Sequence, residues 1–231
     1  MKKLTIIIPV FNEEKTIVKV LERINKVDLS QLGIEKEIIV VDDGSVDTTF
    51  DKINKNHDGI ILRHAINQGK GMAIRTGLEE AKGDFIIIQD ADLEYHPECY
   101  PELIKPILSG QAQVVFGSRF LNGKYPMNMD MPHFLANKFL TLLANILFNI
   151  HITDESTCYK VFKREAIKGI KLTCRQFEFC PEVIAKLSRG KIKIHEIPIS
   201  YTARTKAEGK KIEFKDAIQA IFTLIKYRFF S

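Results

Sequence analysis

The chain has 231 residues, 45% of them hydrophobic and 27% charged, a balance ordinary for a globular protein with a real core and a length that fits one large domain or two small ones. The net charge of +5 is mild, but basic residues thicken after Arg189, with Lys191, Lys193, Arg204, Lys206, Lys210 and Lys211, so the C-terminal third favours an anionic partner. Cys99, Cys158, Cys174 and Cys180 form no CxxC pair and have no zinc-type spacing to histidine, so neither a disulfide framework nor structural zinc is indicated and a reducing, cytosolic compartment is expected.

Leu4 to Pro9 reads as a buried strand rather than a signal peptide, because Pro9 interrupts the apolar run and Asn-Glu-Glu follows. Asn12 is the expected N-cap of a helix carrying Ile17, Val20, Leu21, Ile24 and Val27 at helical spacing. Glu37 to Val41 repeats the pattern, ends in Asp42-Asp43-Gly44-Ser45, and hands over to a helix near Asp47. Gly59 to Leu62 is a third strand, followed by the turn-rich Asn67-Gln68-Gly69-Lys70-Gly71 and a helix with Ile74, Leu78 and Ala81. Phe85-Ile86-Ile87-Ile88 is a fourth strand, doubly buried by its composition, and it stops at Asp90-Ala91-Asp92. Strands and helices alternating at this length predict a parallel sheet with right-handed crossovers.

A short helix over Pro101 to Leu108 and a strand over Ala112 to Gly117 come next, ending in Gly117-Ser118-Arg119. Asn122 to Pro132, with three methionines, reads as a mobile loop and leads into an apolar helix, Phe134 to Ile150. That helix carries Lys138 and three asparagines, and no segment reaches the roughly 20 apolar residues of a membrane span. A helix over Glu182 to Ser188, a strand over Ile192 to Tyr201 and a basic loop over Thr202 to Lys211 are expected before a last helix, Glu213 to Phe230. Its apolar stripe is Phe214, Ile218, Ile221, Phe222, Ile225 and Phe229.

Acids thus stand at three strand ends that must share one crevice of the sheet, where ligands of open α/β folds bind. Asp90 and Asp92 fit two readings: oxygen ligands for a hard divalent cation, or caps of a helix beginning near Pro97. No P-loop, GxGxxG, GxSxG or HExxH pattern is present, which excludes those ways of holding a nucleotide or cleaving a bond.

Pro9-Val10-Phe11-Asn12-Glu13-Glu14, Val41-Asp42-Asp43-Gly44-Ser45, Asn67-Gln68-Gly69-Lys70-Gly71, Asp90-Ala91-Asp92-Leu93 and Gly117-Ser118-Arg119 resemble, in order, the motifs of family 2 glycosyltransferases. Among these the chain is most similar to dolichol-phosphate mannose synthases and related polyprenyl-phosphate glycosyltransferases. The likeness extends to Thr153-Asp154, Tyr159-Lys160-Val161-Phe162, Tyr201-Thr202-Ala203-Arg204 and Glu208-Gly209-Lys210-Lys211. It implies a single GT-A (Rossmann-like) α/β domain over residues 1–231, with a mostly parallel sheet and helices on both faces. Residues 1–118 would form the nucleotide-sugar half and residues 119–231 the acceptor-binding, membrane-proximal half.

The resemblance further implies an inverting transfer from a GDP- or UDP-sugar, with Mg²⁺ or Mn²⁺. Pro9, Phe11, Glu13 and Asp42 would contact base and ribose, and Asn12, Asp43, Gly69, Lys70 and Ala91 would complete the donor site. Asp90 and Asp92 would hold the metal, with Glu94 as a further ligand where relatives often have glutamine. Arg119, Arg204 and Lys210 would face phosphate groups. Asp154 matches an acidic position near the reacting centre and is needed as a base only for a hydroxyl acceptor. Expected partners are a nucleotide sugar, a polyprenyl or dolichyl phosphate and, peripherally through the two apolar helices, the cytoplasmic face of a membrane, with no nucleic acid. A saccharide hydroxyl acceptor and a non-catalytic nucleotide-sugar-binding protein are the alternatives.

Overall fold

Ile6, Ile7 and Ile8 are fully buried in strand β1 (Lys2–Val10), which takes up all of the run predicted as a strand and extends it at both ends. The computed structural model describes residues 1–123, 125–204, 211 and 214–230; Lys210, Lys206 and most of the predicted basic loop lie outside the described residues. The other strands are β2 (Ile34–Asp42), β3 (Ile60–Arg63), β4 (Phe85–Ile88), β5 (Val114–Ser118), β6 (Lys160–Lys163) and β7 (Ile194–Pro198). Among the described residues they form one sheet in the order β3-β2-β1-β4-β6-β5-β7.

The sheet is mostly parallel, as the alternating pattern predicts, but β6 runs antiparallel to both β4 and β5. It went unforeseen because its four residues begin and end in lysine. Lys160 is nevertheless fully buried: its ammonium donates to the carbonyls of Glu155 and Thr157 and lies 4.7 Å from the centroid of the Phe116 ring, which replaces lost hydration. Parallel register sets Val10 opposite Asp42 and Ile7 opposite Ile88. The C-terminal ends of β1, β2 and β4 therefore meet along one edge.

Helix α1 (Ile17–Lys26) buries Ile17, Val20, Leu21 and Ile24 of the predicted stripe, while Val27 stands just past its end as the C-cap. Its last carbonyls are closed by a residue from β2: Lys36 Nζ donates to Ile24 O and Asn25 O at 2.8 Å and to Val27 O at 2.7 Å. Helices α2 (Thr49–Asn56) and α3 (Lys70–Glu80) follow. A Cβ on Gly77 would come within 2.5 Å of Ile7 Cγ2, so glycine lets α3 lie close on β1. A 3-10 turn at Pro97–Cys99 leads into α4 (Tyr100–Leu108).

Helix α5 (Met131–Phe148) starts three residues before the predicted Phe134, because Asp130 caps it by accepting His133 N at 2.9 Å. After the short α6 (Arg164–Lys168), helices α7 (Phe179–Arg189) and α8 (Phe214–Phe229) pack against each other and against α5. Helix α8 turns Ala220, Leu224 and Tyr227 inward, while Ile218, Phe222 and Phe229 of its predicted stripe are exposed. Leu135, Phe139, Leu142 and Ile146 of α5 are exposed as well. No helix among the described residues is long and apolar enough to cross a membrane.

Candidate active site

The loops that leave β1 and β2 are stitched together. Asn12 turns the chain with φ 49; its N–H donates to Ser45 Oγ at 2.9 Å and its Oδ1 accepts Val46 N at 3.0 Å. It does not cap α1, as the sequence suggests, since that helix begins at Ile17 with Thr16 in the cap position. Asp42 is fully buried beside Arg63 Nε at 3.0 Å. Asp43 organises the next loop, accepting Gln68 N at 2.9 Å, Gly69 N at 2.8 Å and His64 Nδ1 at 2.6 Å.

Gly69 has φ 97, and a Cβ there would lie 2.4 Å from Arg175 O. The glycines admit a distant loop: Gly71 N and Met72 N, at the start of α3, donate to Gln176 O and Arg175 O at 2.9 Å. That loop is itself fixed by Glu178, which accepts Arg175 N at 2.8 Å and Gln176 N at 2.9 Å. Gln176 and Phe177 are thereby placed against the site.

At the end of β4, Asp90 pairs with Lys70. Asp92 accepts Glu94 N at 3.0 Å and Arg204 Nη2 at 3.0 Å. Arg204 Nη1 reaches both oxygens of Glu13 at 3.1 Å, and Lys211 Nζ lies 2.8 Å from Glu13. Neither aspartate caps the turn at Pro97, so the capping reading fails. Burial, together with Asp90 and Glu94, pushes the Asp92 carboxyl up to about 8. Burial also opposes ionisation of Asp90, but Lys70 outweighs it and the carboxyl lies below the ordinary range.

Two cavities open at this edge. The first, of about 330 Å³, is lined by Pro9, Phe11, Glu13, Asp43, Gly69, Lys70, Asp90, Ala91, Asp92, Glu94 and Arg204, all of them predicted site residues. Asn67, Gln176, Phe177, Tyr201 and Lys211 line it too and were missed as site residues. Asn67, Tyr201 and Lys211 stand inside motifs legible in the sequence, whereas Gln176 and Phe177 arrive only through the tertiary contact with α3. Asn12 and Asp42 do not line this cavity; they brace its rim.

The second cavity, of about 430 Å³, lies among α3, α5, α7 and α8 and meets the first at Lys70, Asp90, Glu94, Phe177 and Tyr201. Its walls include Ile74, Leu140, Phe179 and several alanines, with Arg119, His133, Asn137 and Glu155 as polar groups. Asp154 lines neither cavity. Its Oδ2 accepts Arg119 N at 2.9 Å and Nε at 2.7 Å, and its Oδ1 accepts Arg119 Nη2 at 2.7 Å. Asp154 is fully buried, so both oxygens serve the arginine.

The sequence profile described as "Glycosyl transferase family 2" matches residues 5–171. The chain belongs to this family. It is a glycosyltransferase, and its curated relatives include enzymes of dolichyl-phosphate sugar transfer. The dolichol-phosphate mannosyltransferase of Pyrococcus furiosus is 30% identical over 214 residues, covering 90% of this chain and 59% of that longer one. The UDP-N-acetylglucosamine–dolichyl-phosphate N-acetylglucosaminyltransferase of Methanococcus voltae is 29% identical over 235 residues, covering 91% of each. Among solved structures, glucosyl-3-phosphoglycerate synthase of Mycobacterium tuberculosis, in complex with Mn²⁺ and UDP-glucose, superposes with a TM-score of 0.73 at 20% identity, over 98% of this chain and 79% of that one. At that identity the likeness establishes the fold, the GT-A arrangement.

Proposed function

We propose that this family 2 glycosyltransferase is a metal-dependent, inverting enzyme that moves a sugar from a nucleotide-diphosphate sugar to a polyprenyl or dolichyl phosphate at the cytoplasmic face of a membrane. The observation that carries the reading is the junction of the two cavities at Lys70, Asp90, Glu94, Phe177 and Tyr201. A donor in the first cavity and an acceptor in the second would meet there.

The donor side is equipped for a diphosphate and a hard cation. Among the described residues no group of three or more His, Cys, Asp or Glu side chains is arranged to hold a metal alone, but two carboxylates together with substrate phosphates are a usual Mg²⁺ environment. Asp90 and Asp92 fit that role: they are oxygen donors with one residue between them, and burial together with the neighbouring Asp90 and Glu94 raises the Asp92 carboxyl, an opposition to its charge that a cation would offset. Bound there, Mg²⁺ or Mn²⁺ supplies neutralisation of the charge that grows on the departing diphosphate. Lys70, Lys211 and Arg204 add fixed positive charge. Arg204 Nε is buried, makes no hydrogen bond among the described residues and lies 3.9 Å from Glu94 Oε1. The mycobacterial synthase, whose crystals hold Mn²⁺ and UDP-glucose, supports this side of the reading.

A phosphate monoester acceptor is largely ionised near neutral pH, so it needs no strong base, whereas a saccharide hydroxyl does. With both oxygens of Asp154 committed to Arg119, the acidic residue suggested for that task acts as the anchor of Arg119. Arg119 itself lines the acceptor cavity and supplies a cation for the phosphate. The apolar walls suit an isoprenoid, and the exposed apolar stripes of α5 and α8, flanked by Lys138, Lys226 and Arg228, suit an anionic bilayer surface. The Pyrococcus and Methanococcus relatives carry dolichol or dolichyl phosphate in their names.

Incubation with labelled GDP-mannose, UDP-glucose or UDP-N-acetylglucosamine, Mn²⁺ and polyprenyl phosphate tests the reading. It predicts label in the organic phase that disappears with Asp92→Ala or a chelator. Donor binding without any label in lipid would contradict it.

A further inference from the structure

Glu94 lines both cavities, yet the chain itself uses both of its carboxylate oxygens. Oε1 accepts the backbone N–H of Arg204 at 2.6 Å, and Oε2 accepts the Tyr201 hydroxyl at 2.9 Å. The backbone continues the joint: Thr202 N donates to Glu94 O at 3.1 Å, and Tyr95 pairs with Tyr201 in an antiparallel bridge. On its other side the same stretch is tied to the loop before α5, through a bridge between Met127 and Thr202 and through Ala203 N, which donates to Met127 O at 3.0 Å. Residues 201–204 thus run between the end of β4 and the segment that opens the second cavity.

We propose that Glu94 is a positioning residue and not a metal ligand: its carboxylate buckles Tyr201–Arg204 to the Asp90–Asp92 turn and so aims the Arg204 guanidinium at the donor diphosphate. Arg204 spans Glu13 and Asp92 with separate nitrogens, a geometry that holds only while its own backbone is fixed. The bond that fixes the backbone is short, charge-assisted and almost fully shielded, with the Glu94 side chain 11% exposed. A cation on Glu94 would have to share oxygens that already hold the Arg204 N–H and the Tyr201 hydroxyl, and drawing their electron density away would weaken both bonds at once. Asp90 and Asp92 carry no comparable backbone load from the 201–204 stretch; they are met by the side chains of Lys70 and Arg204, which can swing away. The aim toward a diphosphate rests on the proposed function, whereas the buckle does not.

Amide hydrogen exchange over residues 199–204, together with titration of GDP and UDP in the presence of Mn²⁺, tests the inference on the full chain. Glu94→Ala is expected to speed exchange in this stretch about tenfold or more, the effect of losing a charge-assisted hydrogen bond, and to weaken nucleotide binding. The Mn²⁺ concentration for half-maximal nucleotide binding should stay within about twofold of the wild type, while Asp92→Asn raises it about tenfold. Glu94→Gln, whose amide oxygen can still accept the Arg204 N–H and whose amide nitrogen faces the Tyr201 oxygen, should restore protection. Tyr201→Phe should give an intermediate rise in exchange. Unchanged exchange in Glu94→Ala overturns the proposal, and so does a Mn²⁺ requirement raised as far as by Asp92→Asn. If the wild type binds neither nucleotide with Mn²⁺, the donor reading fails, and the exchange rates of Glu94→Ala and Glu94→Gln still confirm or refute the buckle.

Discussion

Replacing Asp154 with asparagine separates a structural role from a chemical one. The Asp154 side chain is fully buried and that of Arg119 is 6% exposed, and three Arg119 N–H groups point at the two oxygens. Removing one partner of a buried ion pair costs about 3–5 kcal/mol. Asparagine keeps one acceptor oxygen, which places Asp154→Asn near about 3 kcal/mol, a fall in melting temperature of about 6–12 °C for a chain of this length. The backbone at this point is independently held, because Glu196 accepts Thr153 N at 2.7 Å and Asp154 N at 3.1 Å, so the loss reports on the ion pair. The double variant Arg119→Met, Asp154→Leu leaves no buried charge unmatched and should regain most of the stability without regaining transfer. Urea denaturation and calorimetry read both effects. Stability of Asp154→Asn within about 1 kcal/mol of the wild type, together with lost sugar transfer, would instead make the carboxylate a chemical group and rule out the anchoring role.

Three further outcomes follow from the geometry. Burial opposes ionisation of Glu182, but hydrogen bonds from Lys186, Tyr227, Thr173 and Cys174 outweigh it and hold the carboxyl down to about 2 from 4.5. Its folded value lies below its unfolded one, so the stabilisation is fully present above about pH 4.5 and is lost as pH falls toward 2, a contribution on the order of 3 kcal/mol. Glu182→Gln should lower stability at neutral pH and flatten the acid limb of the stability curve; an unaltered acid limb contradicts this. Gly69→Ala should cost about 1–3 kcal/mol from its left-handed φ and the close Arg175 carbonyl, and should weaken nucleotide-sugar binding in calorimetric titrations. Ile146→Glu with Phe222→Glu alters side chains that are 69% and 68% exposed, so the melting temperature should barely move while co-sedimentation with anionic liposomes falls. Undiminished sedimentation would remove the membrane role of α5 and α8.

Much of this arrangement is legible in the sequence because parallel strands impose a simple rule: each apolar run of β1, β2 and β4 delivers the residues just after it to one edge. Pro9 to Glu13, Asp43 and Asp90 to Glu94 can be placed together before any coordinates exist. What escapes are contacts made across long sequence separations. Lys160 reads as a surface lysine until the carbonyls of Glu155 and Thr157 are seen to solvate it, and the antiparallel β6 is missed with it. Gln176 and Phe177 belong to a stretch without a motif, and only the glycines at Gly69 and Gly71, opened for that stretch, hint that something must pack there. Asn12 shows the converse error: a residue type favoured at helix starts is used instead to pin one strand-end loop to another. The apolar stripe of α8 is readable, but not its direction, since a helix packed through Ala220 and Leu224 leaves Phe222 outside.

Polyprenyl phosphate, the corresponding polyprenol and a free saccharide, offered side by side at fixed nucleotide sugar and Mn²⁺ with products identified by mass spectrometry, separate a phosphate acceptor from a hydroxyl one. A glycosyl phosphodiester should form from the phosphate alone and be abolished in Asp92→Ala. Glycosylation of the polyprenol or the saccharide at a comparable rate would contradict it, because a hydroxyl nucleophile needs a base that Asp154, locked on Arg119, does not provide.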